Sequence, residues 1–537
     1  MKTFLKRNHQ PLDMQKKYFL LVLLISISTT LFSQDNADEK DSSGKKNAVP
    51  KDRNMFGHGI PRGLTKSSDG LTDGYIMFAV PNSASVYLIN RKGEVVHEWK
   101  GNYGGPNTVA YLGDDGSILR NALDPDFPLF VGGGEAGRLQ KITWDNKMLW
   151  DFEYANEQSH AHHDFTVMPN GNVLAIAWEA KTPNEVLAAG RKPKLIPKAG
   201  LWPDKIVEIE PQGKSGGKVV WEWHIWDHLV QDYDAKKANY GKPADHPELL
   251  DFNVGDSVPP LISQDSMDFL HAHGFPWRNQ TPENMESDVY HFNAVKYNAV
   301  LDQIVFSSPH LSEIFIIDHS TTIKEAAGHT GGRWGKGGDF LYRWGNPENY
   351  RHGDSSTRKL FDQHDVRWIE KEKPGAGNLM VFNNNFPGRD SMDYSVIYEL
   401  APPTDKKGAY LIEKNKPFGP EEPVWTYTAP DSVSFWSGFI SGAHRMSNGN
   451  TFINEGARGR FFEVTKEGKM VWEYLNPYRG DIRKPNGDPI SPMPVTYITF
   501  RSTFIPADHP GLANKKLEPI NPQPAVYVLP PPPGDTN

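Results

Sequence analysis

Short runs in which apolar and polar residues alternate, broken by Gly, Pro, Asn and Asp, recur from about residue 70 to about residue 510. A period of two marks half-buried strands rather than helices. Six of these runs close on a tryptophan or another aromatic with a polar or charged flank: residues 95–99, 148–152, 219–223, 340–344, 423–427 and 470–474. Between them lie runs with turn chemistry at their centre, Pro169-Asn170-Gly171-Asn172 and Ser447-Asn448-Gly449-Asn450, with Gly113-Asp114-Asp115-Gly116 as a looser copy. Asn-Gly between alternating runs predicts a hairpin closed by a type I′ turn, in which both central residues take positive φ.

Aromatic landmarks that return at irregular spacing predict an all-β, six-bladed β-propeller of four-stranded blades, with loop insertions on one face. A pair of β-sandwiches is the competing architecture, but sandwiches lack this repeated aromatic punctuation. Length alone would allow three domains in 537 residues. A propeller uses several hundred residues as one unit, so one main domain is expected over residues 70–515. Residues 181–200 and 227–269, rich in Pro, Lys and Asp, break the blade rhythm and read as insertions over one face.

Lys16 and Lys17 precede an apolar run over residues 18–32, and Ser33-Gln34-Asp35 then turns polar. This predicts an export signal over residues 1–33 and a periplasmic or secreted protein, with an uncleaved membrane anchor as the alternative. Residues 34–69 read as a disordered leader and residues 516–537 as a Pro-rich tail. Lys2, Lys6, Arg7, Lys16 and Lys17 against Asp13 give the signal +4, so the formal −8 becomes about −12 once it is removed. That balance argues against a nucleic-acid partner. The chain has no cysteine, which excludes disulfides, thiolate metal sites and lipidation at a cleavage-site thiol.

The candidate chemistry is carried by histidine. Four imidazoles head strand-like runs: His163 before Asp164-Phe165-Thr166-Val167, His291 before Phe292-Asn293-Ala294-Val295, His364 before Asp365-Val366-Arg367-Trp368, and His444 before Arg445-Met446. Strand heads repeated in successive blades would converge on the propeller axis. Asp164 and Asp365 would point away from that axis in a regular strand, and read as blade hydrogen-bond partners. Tyr290, Trp277, Trp436 and Phe435 are candidates for an aromatic pocket. His160-Ala161-His162 and His271-Ala272-His273 have metal-ligand spacing, but without Cys or an acidic pair at zinc spacing no metal is expected. Gly331-Gly332 and Gly335-Lys336-Gly337-Gly338 lack the Lys-Ser/Thr ending of a phosphate loop, so no nucleotide donor or other cofactor is expected.

The stretches His162-His163-Asp164-Phe165 through Asn172, His291-Phe292-Asn293 with Ile304-Val305-Phe306-Ser307-Ser308, Gln363-His364-Asp365, and Asn448-Gly449-Asn450 through Trp472-Glu473-Tyr474 resemble the bacterial arylsulfate sulfotransferase family, over roughly residues 70–510. The resemblance implies a periplasmic six-bladed propeller that moves a sulfuryl group from a phenolic sulfate ester to a phenol through a transiently sulfated histidine. By order and spacing His364 matches the family's nucleophile, His291 and Asn293 its His-x-Asn pair, and His163 its earlier axial histidine. Where the family shows an arginine after the Ser-Ser pair, this chain has Pro309 and His310. Arg445 and Arg501 are the alternative cations, and His444 and His310 the further candidates for holding substrate.

The chemistry stands without the family. Sulfuryl transfer, like phosphoryl transfer, spreads charge over equatorial oxygens, so catalysis is chiefly positioning and electrostatic clamping. A neutral imidazole is a competent nucleophile, and a second one can protonate the leaving phenolate; His291 is the first candidate for that role and His163 the second. Two other classes compete. A non-catalytic propeller binding sulfated or phenolic ligands is favoured by the missing arginine, whereas a quinone-dependent dehydrogenase would need tryptophan-docking repeats that are absent.

Overall fold

A computed structural model describes residues 59–81, 83–105, 108–124, 130, 132–255, 281–284, 286–388, 392–480 and 497–527. The expected signal and most of the leader lie outside the described residues, as does the end of the tail. Six antiparallel sheets make six blades. Strands β5 (Ala110–Leu112), β6 (Ile118–Leu123), β7 (Gly137–Ile142) and β8 (Met148–Glu153) form one, and β9 (Ser159–Val167), β10 (Val173–Glu179), β11 (Asp204–Gln212) and β12 (Gly216–His224) the next. After the two-stranded β13 (Leu229–Val230) and β14 (Leu250–Asp251), a third comprises β15 (Ala294–Asn298), β16 (Gln303–Ser308), β17 (Glu313–Asp318) and β18 (Tyr342–Trp344). A fourth comprises β19 (His364–Trp368), β20 (Leu379–Phe386), β21 (Tyr394–Leu400) and β22 (Trp425–Tyr427).

The last two blades exchange the chain ends. The C-terminal β27 (Ser502–Pro506) pairs with β2 (Gly74–Ala79), which continues through β3 (Ser83–Ile89) and β4 (Val95–Gly105). The N-terminal β1 (Gly63–Ser67) adds a fifth strand to β23 (Gly442–Arg445), β24 (Thr451–Glu455), β25 (Arg460–Val464) and β26 (Met470–Leu475). Pairing the first and last strands into neighbouring blades closes the ring and leaves fewer sheet edges open.

The aromatic punctuation belongs to the fourth strands. Trp99, Trp150, Trp223, Trp344, Tyr427 and Tyr474 lie on β4, β8, β12, β18, β22 and β26 and are buried. Their large apolar faces fill the widening gap between blades, and indole N–H groups donate to carbonyls across it, as Trp150 does to Gly216 (2.8 Å) and Trp472 to Arg91 (2.9 Å).

The hairpin turns differ from expectation in type. Only Gly171 and Gly449 take positive φ (87° and 90°), while Asn170 and Asn448 do not. Met168 N donates to Asn172 O (2.8 Å) and Gly171 N to Met168 O (2.9 Å), which is a three-residue loop ending on a left-handed glycine. The Asn170 side chain accepts from Asn172 N (2.9 Å), so the asparagine serves as a side-chain turn former and the glycine alone supplies the left-handed backbone.

Candidate functional site

Two strand irregularities set the site. In β9 the register slips between His162 and Phe165, which face Ile176 and Ala175, so His163 and Asp164 bulge out with His163 at φ 53°. In β19 His364 faces Phe382 and Arg367 faces Met380, and Asp365 takes φ 56° in the slip between them. Bulges re-aim side chains at the rim of a sheet. His163 is therefore in mid-strand and His291 (φ 55°) three residues ahead of β15, whereas His364 does open its strand. The expectation that all head regular strands is corrected to this extent.

The imidazoles form a chain. Asp204 Oδ1 lies 3.0 Å from His162 Nε2, and His162 Nδ1 lies 2.7 Å from His163 Nδ1. The His163 ring meets His291 edge to face at 4.4 Å, and His291 stacks on His310 at 4.7 Å. His291 Nδ1 bonds Asp288 Oδ2, whose other oxygen accepts from Trp178 Nε1 (3.0 Å). Burial and the neighbouring Asp288 carboxylate push Asp204 well above the carboxylate range. Burial also pushes Asp288 upward, but the imidazoles of His291, His310 and His162 outweigh it and hold Asp288 below its ordinary value. The contact between the two Nδ1 atoms is a single hydrogen bond in which one of the rings donates and the other accepts.

His364 is held from three sides. Its Nδ1 lies 2.9 Å from both Asp362 O and Asn384 Oδ1, and its Nε2 accepts from Ile440 N (3.1 Å). Asn384 Nδ2 donates to Ser437 O (2.7 Å) and Ile440 O (2.8 Å), which orients the amide so that its oxygen faces the ring. Two acceptors at Nδ1 require the proton there and leave the lone pair on Nε2. Burial is the main cause that lowers the His364 pKa to about 3, with Arg501 adding to it. Phe500 lies between the imidazoles, 5.8 Å from the His163 ring and 6.5 Å from that of His364.

Beneath this cluster sits a buried ionic layer. Arg501 Nη1 lies 3.1 Å from Asp365 Oδ1 and its Nη2 3.8 Å from Asp164 Oδ2. Asp164 also binds Lys296 Nζ (2.6 Å) and Tyr111 Oη (2.6 Å), and Asp365 binds Arg367 (2.6 Å). Burial lowers Lys296 to about 8 despite the Asp164 carboxylate. Asp164 Oδ2 accepts from Val295 N and Asp365 Oδ2 from Ala443 N, each at 3.2 Å, so both aspartates stitch one blade's inner strand to the next.

Other sequence candidates have structural partners. Asn293 Nδ2 donates to Gln363 O (2.8 Å) and its Oδ1 accepts from Ser307, so the amide pins the segment leading into His364. His444 Nε2 accepts from Phe504 N (3.1 Å) and seals the seam with β27. Arg445 is corrected: its guanidinium binds Glu399, stacks on Trp425 at 4.7 Å and lines a separate cavity of about 730 Å³ beside the Asn448–Asn450 hairpin. Phe435 and Trp436 pack into hydrophobic clusters, Tyr290 is buried, and Trp277, His271 and His273 lie outside the described residues. His160 packs against Phe130 and Trp178, with ring centroids 6.0 and 6.2 Å away. His162 was noted only for its metal-ligand spacing with His160, and Asp204, Asp288, Asn384 and Phe500 were not singled out from sequence. Nor was the 132–134 glycine run: a Cβ on Gly134 would fall 2.2 Å from the His163 ring, and one on Gly133 3.2 Å from His291.

The fold and its central histidine cluster define a six-bladed β-propeller with a candidate catalytic site. Residues 145–483 match the arylsulfotransferase (ASST) family, and the chain belongs to it. That membership supports an aryl sulfotransferase activity in general terms. No curated protein matches the chain. Among solved structures it is similar to a protein of unknown function from Bacteroides caccae (12% identity, 75% of this chain and 94% of that one, TM-score 0.38). It is also similar to a streptogramin B lyase (9%, 84% and 96%, TM-score 0.35) and to a putative 6-phosphogluconolactonase from Bacteroides fragilis (9%, 82% and 99%, TM-score 0.35). Among the described residues no helix is long and apolar enough to cross a membrane.

Proposed function

We propose that this protein transfers a sulfuryl group from a phenolic sulfate ester to a phenol, without a nucleotide donor, through a sulfohistidine at His364. The observation that carries the reading is the fixed tautomer of His364, with Nδ1–H held by Asp362 O and Asn384 Oδ1 and the basic lone pair on Nε2. In the first half-reaction the Nε2–S bond forms as the S–O(aryl) bond breaks, and His291 gives the departing phenolate a proton. The ionised Asp288 at His291 Nδ1 stabilises the imidazolium that supplies it. In the second half-reaction His291 takes the proton from the acceptor phenol, whose oxygen attacks sulfur as the S–N bond breaks.

His163 takes the role of an oxyanion donor, with its ring held against His162 by the contact between their Nδ1 atoms. Together with His310, open to solvent beside His291, it substitutes for the arginine that Pro309 displaces. Arg501 contributes its field from below, attenuated by Asp164 and Asp365. That attenuation favours the second reading, a propeller that binds sulfated or phenolic ligands without turnover. An exported location, periplasmic or secreted, completes the proposal.

Incubation with an aryl sulfate chromogen, with and without an added phenol, tests it. Phenol-dependent release of chromophore is expected. Intact-protein mass spectrometry with donor alone should show one added sulfuryl group that phenol removes. Ligand binding with neither release nor adduct would instead support the non-catalytic reading.

A further inference from the structure

Away from the histidine cluster, three potential metal ligands meet where two blades adjoin. His228, in the turn that follows β12, is fully buried, with its ring stacked on Trp223 at 5.3 Å and 7°. Asp339 and the exposed His329 come from the connection between β17 and β18, which opens with the short helix α1 (Ile323–Ala326). Asp339 Oδ1 lies 2.8 Å from His228 Nδ1 and 2.8 Å from His329 Nδ1. The three donor atoms fall within 4.8 Å of one another.

We propose that His228 Nδ1, His329 Nδ1 and Asp339 Oδ1 bind a divalent transition metal of the zinc class, with water as the fourth ligand. The second, independent observation is at the far side of His228. Its Nε2 lies 2.8 Å from Ala326 O, a group that only accepts, so Nε2 carries the proton. With that proton fixed, Nδ1 faces a carboxylate oxygen, an arrangement satisfied either by a second proton on Nδ1 or by a metal ion in its place. An imidazole that donates one N–H to a backbone carbonyl while its other nitrogen faces a carboxylate has the outer-shell arrangement of a metal-ligating histidine. Two imidazoles and one carboxylate suit zinc, nickel or copper better than calcium or magnesium, which prefer all-oxygen shells.

The surrounding chain is built to hold this geometry. Trp223 Nε1 donates to Gly338 O (2.7 Å), and a Cβ on Gly338 would stand 2.6 Å from His228 Nε2, so glycine is required beside the ring. Gly338 N donates to Gly328 O (3.0 Å), folding the segment back so that His329 and Asp339 face the same atom. A bound ion would clip the β17–β18 connection of one blade to the turn after β12 of its neighbour. Protons compete with the ion for the two Nδ1 atoms, so binding weakens as pH falls.

The test uses the full chain, freed of metal with a chelator and titrated with Zn(II) and, separately, Co(II). One equivalent should bind with a Kd of about 10 µM or tighter, raise Tm by about 3 °C or more at excess metal, and give Co(II) the visible absorption of a four-coordinate site. His329→Ala, at an exposed position, and Asp339→Asn should each abolish that equivalent, whereas His291→Ala should retain it. The proposal is overturned if Kd is weaker than about 100 µM, if His329→Ala still binds normally, or if His291→Ala is the substitution that removes the metal.

Discussion

The Nε2 of His364 accepts a hydrogen bond from the backbone N–H of Ile440 at 3.1 Å, and Ile440 itself sits at φ 52°. A β-branched residue in the left-handed region costs energy and persists only where its surroundings over-determine it. Here the surroundings are Asn384, which binds Ile440 O at 2.8 Å and also sets the tautomer of His364. One amide thus holds both the imidazole and the N–H that faces its lone pair. In the proposed reaction that N–H moves from the lone pair to a sulfuryl oxygen as the S–N bond forms.

Replacing the nucleophile separates the roles of the two imidazoles. His364→Ala should abolish turnover and the mass adduct together. His291→Ala should cost about 10²- to 10⁴-fold, the usual worth of a general acid or base, and less with donors whose leaving phenol is already acidic. Steady-state rates across aryl sulfates of graded leaving-group acidity check this. A slope for His291→Ala no steeper than that of the unmodified protein would remove His291 from the acid role, and an adduct on another histidine would remove His364.

Asn384→Ala should lower transfer by about 10- to 100-fold while leaving the chain folded, because Asp362 O still holds the Nδ1 proton but the ring and the Ile440 segment lose the amide that orients them. The loss should fall on kcat, with KM little changed, since Asn384 is buried against the ring and the backbone rather than open to substrate. Equal losses with poor and activated donors would agree with a positioning role. An effect on KM alone would not.

Gly134→Ala should be as damaging as loss of a reacting group, although glycine has no chemistry. Its φ is 80° and the added methyl would overlap the His163 ring, while the backbone N–H of His163 is anchored to Gly134 O at 2.7 Å. Transfer should fall by at least about tenfold with a small loss in Tm, because the displaced ring belongs to the histidine cluster and not to a hydrophobic one. Crystallography or imidazole NMR of the variant would show whether the His162–His163 contact is lost.

The blades were legible in the sequence because fourth strands and hairpins repeat a chemistry that does not depend on distant contacts: Trp99, Trp223 and Trp472 fill inter-blade gaps, and Gly171 and Gly449 supply left-handed turns. The order of His163, His291 and His364 was legible for the same reason. Their partners were not. Asp204, Asp288 and Asn384 come from non-equivalent positions and reach the histidines only because His163 and Asp365 bulge and His291 turns left-handed, which no period-two pattern encodes. Arg445 misled for the opposite reason. It follows His444 directly, yet adjacent residues of a strand face opposite ways, and its guanidinium goes to Glu399.

The same burial that keeps these imidazoles neutral makes the fold sensitive to mild acid. Desolvation lowers the pKa of His364 to about 3 and holds His162, His163 and His444 well below their ordinary value. An unfolded histidine titrates near pH 6.5. Above that pH both states are neutral and these groups do not bias folding. As pH falls below about 6.5 the unfolded chain takes up protons that the folded one refuses, so each group removes up to about 1.4 kcal/mol of stability per pH unit until the folded pKa is reached. His224 runs the other way, raised to about 9 by Glu179 and Glu222 against the cost of burial. Its contribution is fully present below pH 6.5 and is lost as pH rises through about 9. Denaturant unfolding between pH 8 and pH 4.5 should therefore show stability dropping below pH 6, as these four imidazoles, together with His97 and His310, which burial lowers to about 4, take up protons on unfolding well before ordinary carboxylates titrate. His444→Gln, which keeps a side chain able to accept from Phe504 N, should reduce that uptake by about one proton. A flat profile from pH 7 to pH 5 would mean that the buried imidazoles are hydrated or charged in the folded protein, and would take with it the neutral nucleophile on which the proposed transfer depends.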